Sequence, residues 1–259
     1  MRILLTRPLD HVEPLRSMLT AEGFVVLTQP MFEIKPPLSW EQADNAIVRL
    51  TMFDWIVFSS INGVNYFFNR AANAMGHQKL AAVGSATSEA IHTRIGRPAD
   101  LVPREQNADG LLEILLPEAK QNKRFLIPRG DKGRNILKRG LRAARPDRSD
   151  ADAVAEIEVY RNIEVTECDP VIAGMMQSGQ IDIVVLMSSS AAETAVKIFG
   201  TTLRQTTILS ISPLTSATVR RYGFEPIYEA EEASLNGIVE FLKNRFKRNA
   251  KSVPSLGGR

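Results

Sequence analysis

What the chain is short of narrows its chemistry first. A single cysteine, Cys168, rules out a disulfide within the chain. The three histidines, His11, His77 and His92, share no metal-ligand spacing, so metal and thiol chemistry are poorly served. No apolar run reaches the roughly 18 residues of a membrane span, and the opening MRILLTRPLD carries charge where a secretory leader needs its apolar core. These absences predict a cytoplasmic protein that does not engage a membrane. Neither a G-x-G-x-x-G fingerprint nor a G-x-S-x-G elbow occurs, which argues against a dinucleotide site and against a serine hydrolase.

The folded body also lacks a basic excess. The net charge is +3, but the six basic residues from Lys243 to Arg259, with no acid among them, more than account for it, and the first 242 residues are net acidic. Nucleic acid is therefore not an expected partner, and residues 248–259 are expected to form a disordered basic tail. An anionic ligand would have to be held by local dipoles and individual Arg or Lys side chains, not by a long-range field.

What is present is alternation. At 259 residues, with 44% hydrophobic and 24% charged, the chain has the length of two globular domains and the composition of soluble ones. Short apolar runs (RILLT, WIVF, LAAV, RFLI, IVVL, ILSI) alternate with helical spacings such as Leu15, Met18, Leu19 and Val64, Phe67, Phe68, Ala71. Strand and helix alternating at this length predict parallel sheets with helices on both faces, a doubly wound α/β architecture.

The alternation repeats. DWIVFSSINGV begins at Asp54 and DIVVLMSSSAA at Asp182; LAAVGSAT ends at Thr87 and ILSISPLT at Thr215. Asn107 and Ser234 stand as helix caps before Gly110 and Gly237, and Arg7 and Arg129 each precede leucines at offsets of 8 and 12. Two similar domains follow. Sequence order leaves two arrangements open: contiguous halves, or a crossed one in which the Arg129 unit completes the middle domain and the N-terminal unit joins the C-terminal domain. The extended stretches Phe32 to Lys35 and Ile157 to Val165 suit two crossing connectors, and the crossed version is preferred. The expected domains are then residues 1–34 with 164–247, and 38–159, joined by a two-stranded connector.

In open α/β sheets ligands sit beyond the carboxyl ends of the strands. Those ends carry Ser59, Ser60, Thr87, Ser189 and Thr215, each also explicable as a helix cap. Arg7 and Arg129 lie just past strand ends, where they could pair with carboxylates. Tyr160, closing the run EIEVYRN, either covers a sheet end or offers a phenol to a leaving group. Cys168 reads as a small buried hydrophobe.

Taken in order, ILLTRP, DWIVFSSINGV, AVGSAT, the Arg129-Gly130 unit, EIEVYR and SPLTSATVRRYGFEPIYEAEEAS resemble the uroporphyrinogen-III synthase (HemD-like) family from Met1 to about Leu242. The resemblance implies two α/β domains with the N-terminal segment completing the C-terminal one. It implies a lyase of porphyrin and haem biosynthesis, without metal or organic cofactor, that acts on hydroxymethylbilane, a linear tetrapyrrole with eight carboxylates. Water leaves the ring A hydroxymethyl, the azafulvene attacks ring D to form a spiro intermediate, and reclosure inverts ring D. By position, Tyr160 matches the tyrosine that assists loss of the hydroxyl, and Thr87, Thr215, Ser60 and Ser189 match residues of a cleft between the domains. Asn62 stands where some members have Arg, and Ser212 stands where the motif usually has Gly, placing a Cβ in that turn. A monomer in transient contact with the preceding pathway enzyme is expected; a non-catalytic tetrapyrrole- or anion-binding regulatory module of the same fold is the alternative.

Overall fold

In the computed structural model, residues 1–71, 75–133 and 135–247 are described; the basic tail expected at 248–259 lies outside them. The chain runs β1 (Arg2–Leu5), α1 (Leu9–Ala21), β2 (Val25–Thr28), β3 (Phe32–Lys35), α2 (Glu41–Val48), β4 (Trp55–Phe58), α3 (Ile61–Ala71), β5 (Lys79–Ala82), α4 (Ser85–Ile95) and α5 (Ala108–Lys120). It continues with β6 (Phe125–Gly130), α6 (Ile136–Ala144), β7 (Val154–Glu164), α7 (Pro170–Gln177), β8 (Ile183–Leu186), α8 (Ser189–Phe199), β9 (Thr207–Ser210), α9 (Pro213–Arg221), β10 (Ile227–Glu229) and α10 (Leu235–Leu242). Two compact units result: Met1–Glu33 with the chain from Ile163, and Ile34–Asn162. The chain passes between them twice, within β3 and within β7.

The first unit holds a five-stranded sheet ordered β10-β9-β8-β1-β2 and the second a sheet ordered β3-β7-β6-β4-β5, to whose far edge Leu101 adds a single parallel bridge with Ala81. The N-terminal strand pairs with β8, in parallel, as in the crossed arrangement. Read from that edge, four strands of each sheet correspond: β5, β4, β6 and β7 take the places of β9, β8, β1 and β2, the Leu101 bridge stands where β10 does, and β3 has no counterpart.

The strands are short and apolar because both faces are covered. In β4, Trp55 and Val57 pack with Leu111, Leu115, Leu137 and Leu141 of α5 and α6, while Ile56 and Phe58 pack with Val64, Phe67 and Ile91 of α3 and α4. In β1 and β8, Ile3, Leu5, Ile183 and Val185 meet α1 and α10, and Leu4, Val184 and Leu186 meet α7, α8 and α9. This period of two, with helices on either side, is the doubly wound plan.

The repeated aspartates have a shared task. Asp54 accepts from the Arg124 backbone N–H at 2.7 Å, and Asp182 accepts from that of Arg2 at 2.5 Å, so each pins the first turn of its unit's central strand pair. The later caps match as well: Asn107 accepts from Gly110 N–H at 2.8 Å and Ser234 from Gly237 N–H at 3.0 Å. A Cβ at Gly110 would lie 2.3 Å from the Glu105 carbonyl, and one at Gly237 2.0 Å from that of Glu232.

Candidate active site

At the carboxyl ends of β4, β6 and β7, the second unit forms a pocket of about 220 Å³ lined by Ser59, Ser60, Arg129, Lys132, Glu156 and Tyr160, among others. Tyr160 is 9% exposed and its position is tightly set. Its ring lies against Gly130, where a Cβ would fall 2.6 Å from two ring carbons, so the glycine is needed for that approach. Tyr66 flanks it with ring centroids 6.0 Å apart. The phenol oxygen sits 3.1 Å from Ser60 Oγ, and Ser60 Oγ accepts from the Gly63 N–H at 3.0 Å, capping α3. A phenol thus meets a hydroxyl held at a helix N-terminus, where the dipole favours developing negative charge.

Arg129 departs from its expected use. It lies inside β6 and not past its end, because pairing of β6 with β7 continues through an irregularity at Arg129 and Gly130, and the next helix begins only at Ile136. Its guanidinium donates to Glu156 at 3.0 Å, to the Gly130 carbonyl at 3.1 Å and to the Gly133 carbonyl. Both ion-pair side chains are 15% exposed. Arg129 therefore fixes the pocket wall and is not poised to take a ligand carboxylate. Lys132, on the following loop, is the cation that this wall offers to solvent.

In the first unit, Arg7 follows β1 and lines a pocket of about 420 Å³ with Thr6, Phe32, Met187, Ser188, Ile211 and Ser234. It is half-buried and meets no carboxylate among the described residues. Burial alone pushes its pKa below the usual arginine value. Two arginines at matching places thus differ: Arg129 is neutralised by a neighbouring strand, and Arg7 meets no such partner among the described residues.

Ser188, not Ser189, is the counterpart of Ser60. It lies outside α8 and its Oγ accepts from Ala191 N–H at 3.1 Å, whereas Ser189 is the first helical residue and donates to the Leu214 carbonyl at 3.3 Å. Ser188 stands 128 positions after Ser60, the offset that also relates Asp54 to Asp182 and Thr87 to Thr215, and Met187 occupies the place of Ser59. Thr87 and Thr215 are buried, at 4% and 2%, and Thr215 Oγ1 lies 3.2 Å from Ser212 Oγ. Along with Asn62 and Ser189, these threonines line neither pocket. Ser212 accommodates its Cβ without strain: its backbone is extended, with φ −158°, and its side chain caps α9 by accepting from Thr215 N–H. In the other unit that cap comes from outside, since Gln106 Oε1 accepts from Ser85 N–H at 3.0 Å against Gly84.

Cys168 is half-buried, and burial with the nearby Asp169 pushes its thiol up to about 11, so it stays protonated at neutral pH. Among the described residues no cluster of His, Cys, Asp and Glu is placed to hold a metal ion, and no helix is long and apolar enough to cross a membrane.

Comparison with known proteins agrees with this layout. The family model described as uroporphyrinogen-III synthase HemD matches residues 13–240. A uroporphyrinogen-III synthase of Synechococcus elongatus is 28% identical, with 92% of each chain covered. A putative uroporphyrinogen-III synthase of Methanocaldococcus jannaschii is 25% identical over 96% of this chain and 100% of its own. In fold, the crystal structure of uroporphyrinogen-III synthetase from Helicobacter pylori superposes with a TM-score of 0.59 at 17% identity, covering 94% of this chain and 99% of that one. With the family model matched over most of its length and both sheets in place, the chain belongs to the uroporphyrinogen-III synthase family.

Proposed function

We propose that this chain cyclises hydroxymethylbilane to uroporphyrinogen III, with Tyr160 as the residue that assists departure of the ring A hydroxyl. The observation that supports the role of Tyr160 is that it lines the pocket with its phenol 3.1 Å from a hydroxyl that caps a helix. Loss of hydroxide from the ring A carbon needs a proton at the leaving oxygen, and a positioned phenol is a general acid suited to supply it. The electron pair for the azafulvene comes from the pyrrole nitrogen. The phenolate regains a proton when the recyclised rings lose theirs, so one water is released and Tyr160 ends as it began.

Eight carboxylates on the substrate give both pockets something to hold. Arg7, which meets no carboxylate among the described residues, is the first candidate for a carboxylate contact, and Lys132 is the second. Ser60 belongs with Tyr160; Asn62, Thr87, Ser189 and Thr215 would act through the helix ends that they build. The reading carries with it a monomer in the cytoplasm, supplied by transient contact with the preceding enzyme of the pathway.

The test of Tyr160 is its replacement by Phe, which removes one hydroxyl and keeps the ring packed on Gly130. Turnover is expected to fall by about 10²-fold or more, with the melting temperature nearly unchanged. Wild-type turnover in Tyr160→Phe would make the residue structural.

A further inference from the structure

We infer that Ser60 is a positioning residue for the reaction, a hydroxyl held by the N-terminus of α3 so that it donates to the Tyr160 oxygen as the phenol gives up its proton. This rests on the reading of Tyr160 as the proton donor.

The geometry limits what Ser60 can do. Its Oγ has one proton and two lone pairs. One lone pair is taken by the Gly63 N–H at 3.0 Å, which fixes the oxygen in space while leaving its proton free to turn. Tyr160 Oη lies 3.1 Å away, within hydrogen-bond reach in either direction. While the phenol is intact it can donate to Ser60 or to a ligand. Once its proton has moved to the leaving hydroxyl, the phenolate can only accept, and Ser60 is the hydroxyl in place to donate to it. The interaction is therefore stronger in the transition state than before it, which is the condition for accelerating the step.

The surroundings favour the same direction. Gly63 donates toward the serine oxygen from the first turn of α3, where the helix end stabilises negative charge. The Gly63 position is also tight: a Cβ there would lie 3.1 Å from the Pro128 carbonyl and 3.2 Å from Ser60 Oγ, so a side chain would press on the serine oxygen. The phenol cannot drift away, since its ring is pressed on Gly130. In the first unit Ser188 caps α8 in the same manner, but among the described residues no tyrosine is paired with it. The same cap is thus put to catalytic use in one copy and left as a cap in the other.

Two variants separate the positioning role from the capping role. Ser60→Asp keeps an excellent N-cap acceptor but has no proton to give and puts like charge beside the phenolate. Ser60→Thr keeps both the cap and the hydroxyl. With hydroxymethylbilane as substrate, Ser60→Asp is expected to retain the wild-type melting temperature, lose about 10²-fold in kcat and shift the alkaline limb of its kcat profile to higher pH. Ser60→Thr is expected to recover most of the activity and the original limb. Near-normal kcat and an unmoved alkaline limb in Ser60→Asp would overturn the inference. Tyr160→Phe, measured alongside, keeps the two levels apart: an impaired Tyr160→Phe with a normal Ser60→Asp removes only the serine's role, and a normal Tyr160→Phe removes the proton-donor reading and this inference together.

Discussion

Arg7 and Arg129 stand at matching places in the duplicated chain, yet among the described residues only Arg129 is paired with a carboxylate. Arg129 is tied to Glu156 and to two carbonyls, so Arg129→Gln leaves a carboxylate at 15% exposure without its cation. Removing one partner of such a pair is expected to cost on the order of 2–4 kcal/mol, read as a lowered melting temperature. Arg7→Gln removes a half-buried cation that no carboxylate opposes among the described residues, so stability should hold. If Arg7 holds a substrate carboxylate, the loss of one charge-assisted hydrogen bond raises KM by about 10- to 100-fold. Unchanged KM in Arg7→Gln, or unchanged stability in Arg129→Gln, would contradict this division. The sequence did not show which of the two was paired, because Glu156 lies on another strand and its reach depends on the pairing of β6 with β7. Lys132 was missed because a lysine in a polar loop carries no signal; Ser188 was within reach, since it stands 128 positions after Ser60 just as Asp182 does after Asp54.

The elements repeat more faithfully than the side chains around the pockets. At the start of α5 and of α10, a capping side chain, a glycine and a glutamate carbonyl recur with nearly the same geometry. Gly110→Ala and Gly237→Ala should therefore both be destabilising, each by about 1–3 kcal/mol, since the added Cβ meets backbone in either case. A thermal or denaturant titration of the two variants checks it, and tolerance of alanine at either site would show that the two turns are not equivalent. These helix starts were legible beforehand from Asn107 and Ser234, as were the strand starts from Asp54 and Asp182. Limits set by tertiary pairing were not. Strand β6 takes in Arg129 and Gly130, where its pairing with β7 continues through an irregularity.

Across the whole molecule, one order of four strands serves both units, and the N-terminal strand is inserted beside β8 far along the chain. The repeat showed two similar halves but left two arrangements open; the extended stretches at Phe32 to Lys35 and Ile157 to Val165, with the family resemblance, favoured the crossed one. The chemistry could not be read so far, because a phenol and a serine 100 residues apart become a pair only when β4 and β7 are in one sheet. The body is net acidic over its first 242 residues, so capture of a polycarboxylate depends on the few cations and helix ends at the pockets. All of this bears on one outcome, the stereochemistry of ring closure. The decisive measurement supplies the purified chain with hydroxymethylbilane, generated from porphobilinogen by the preceding enzyme, and separates the oxidised uroporphyrin isomers. The account predicts the type III isomer, in an amount that rises with the concentration of the chain; product found only as the type I isomer would contradict it.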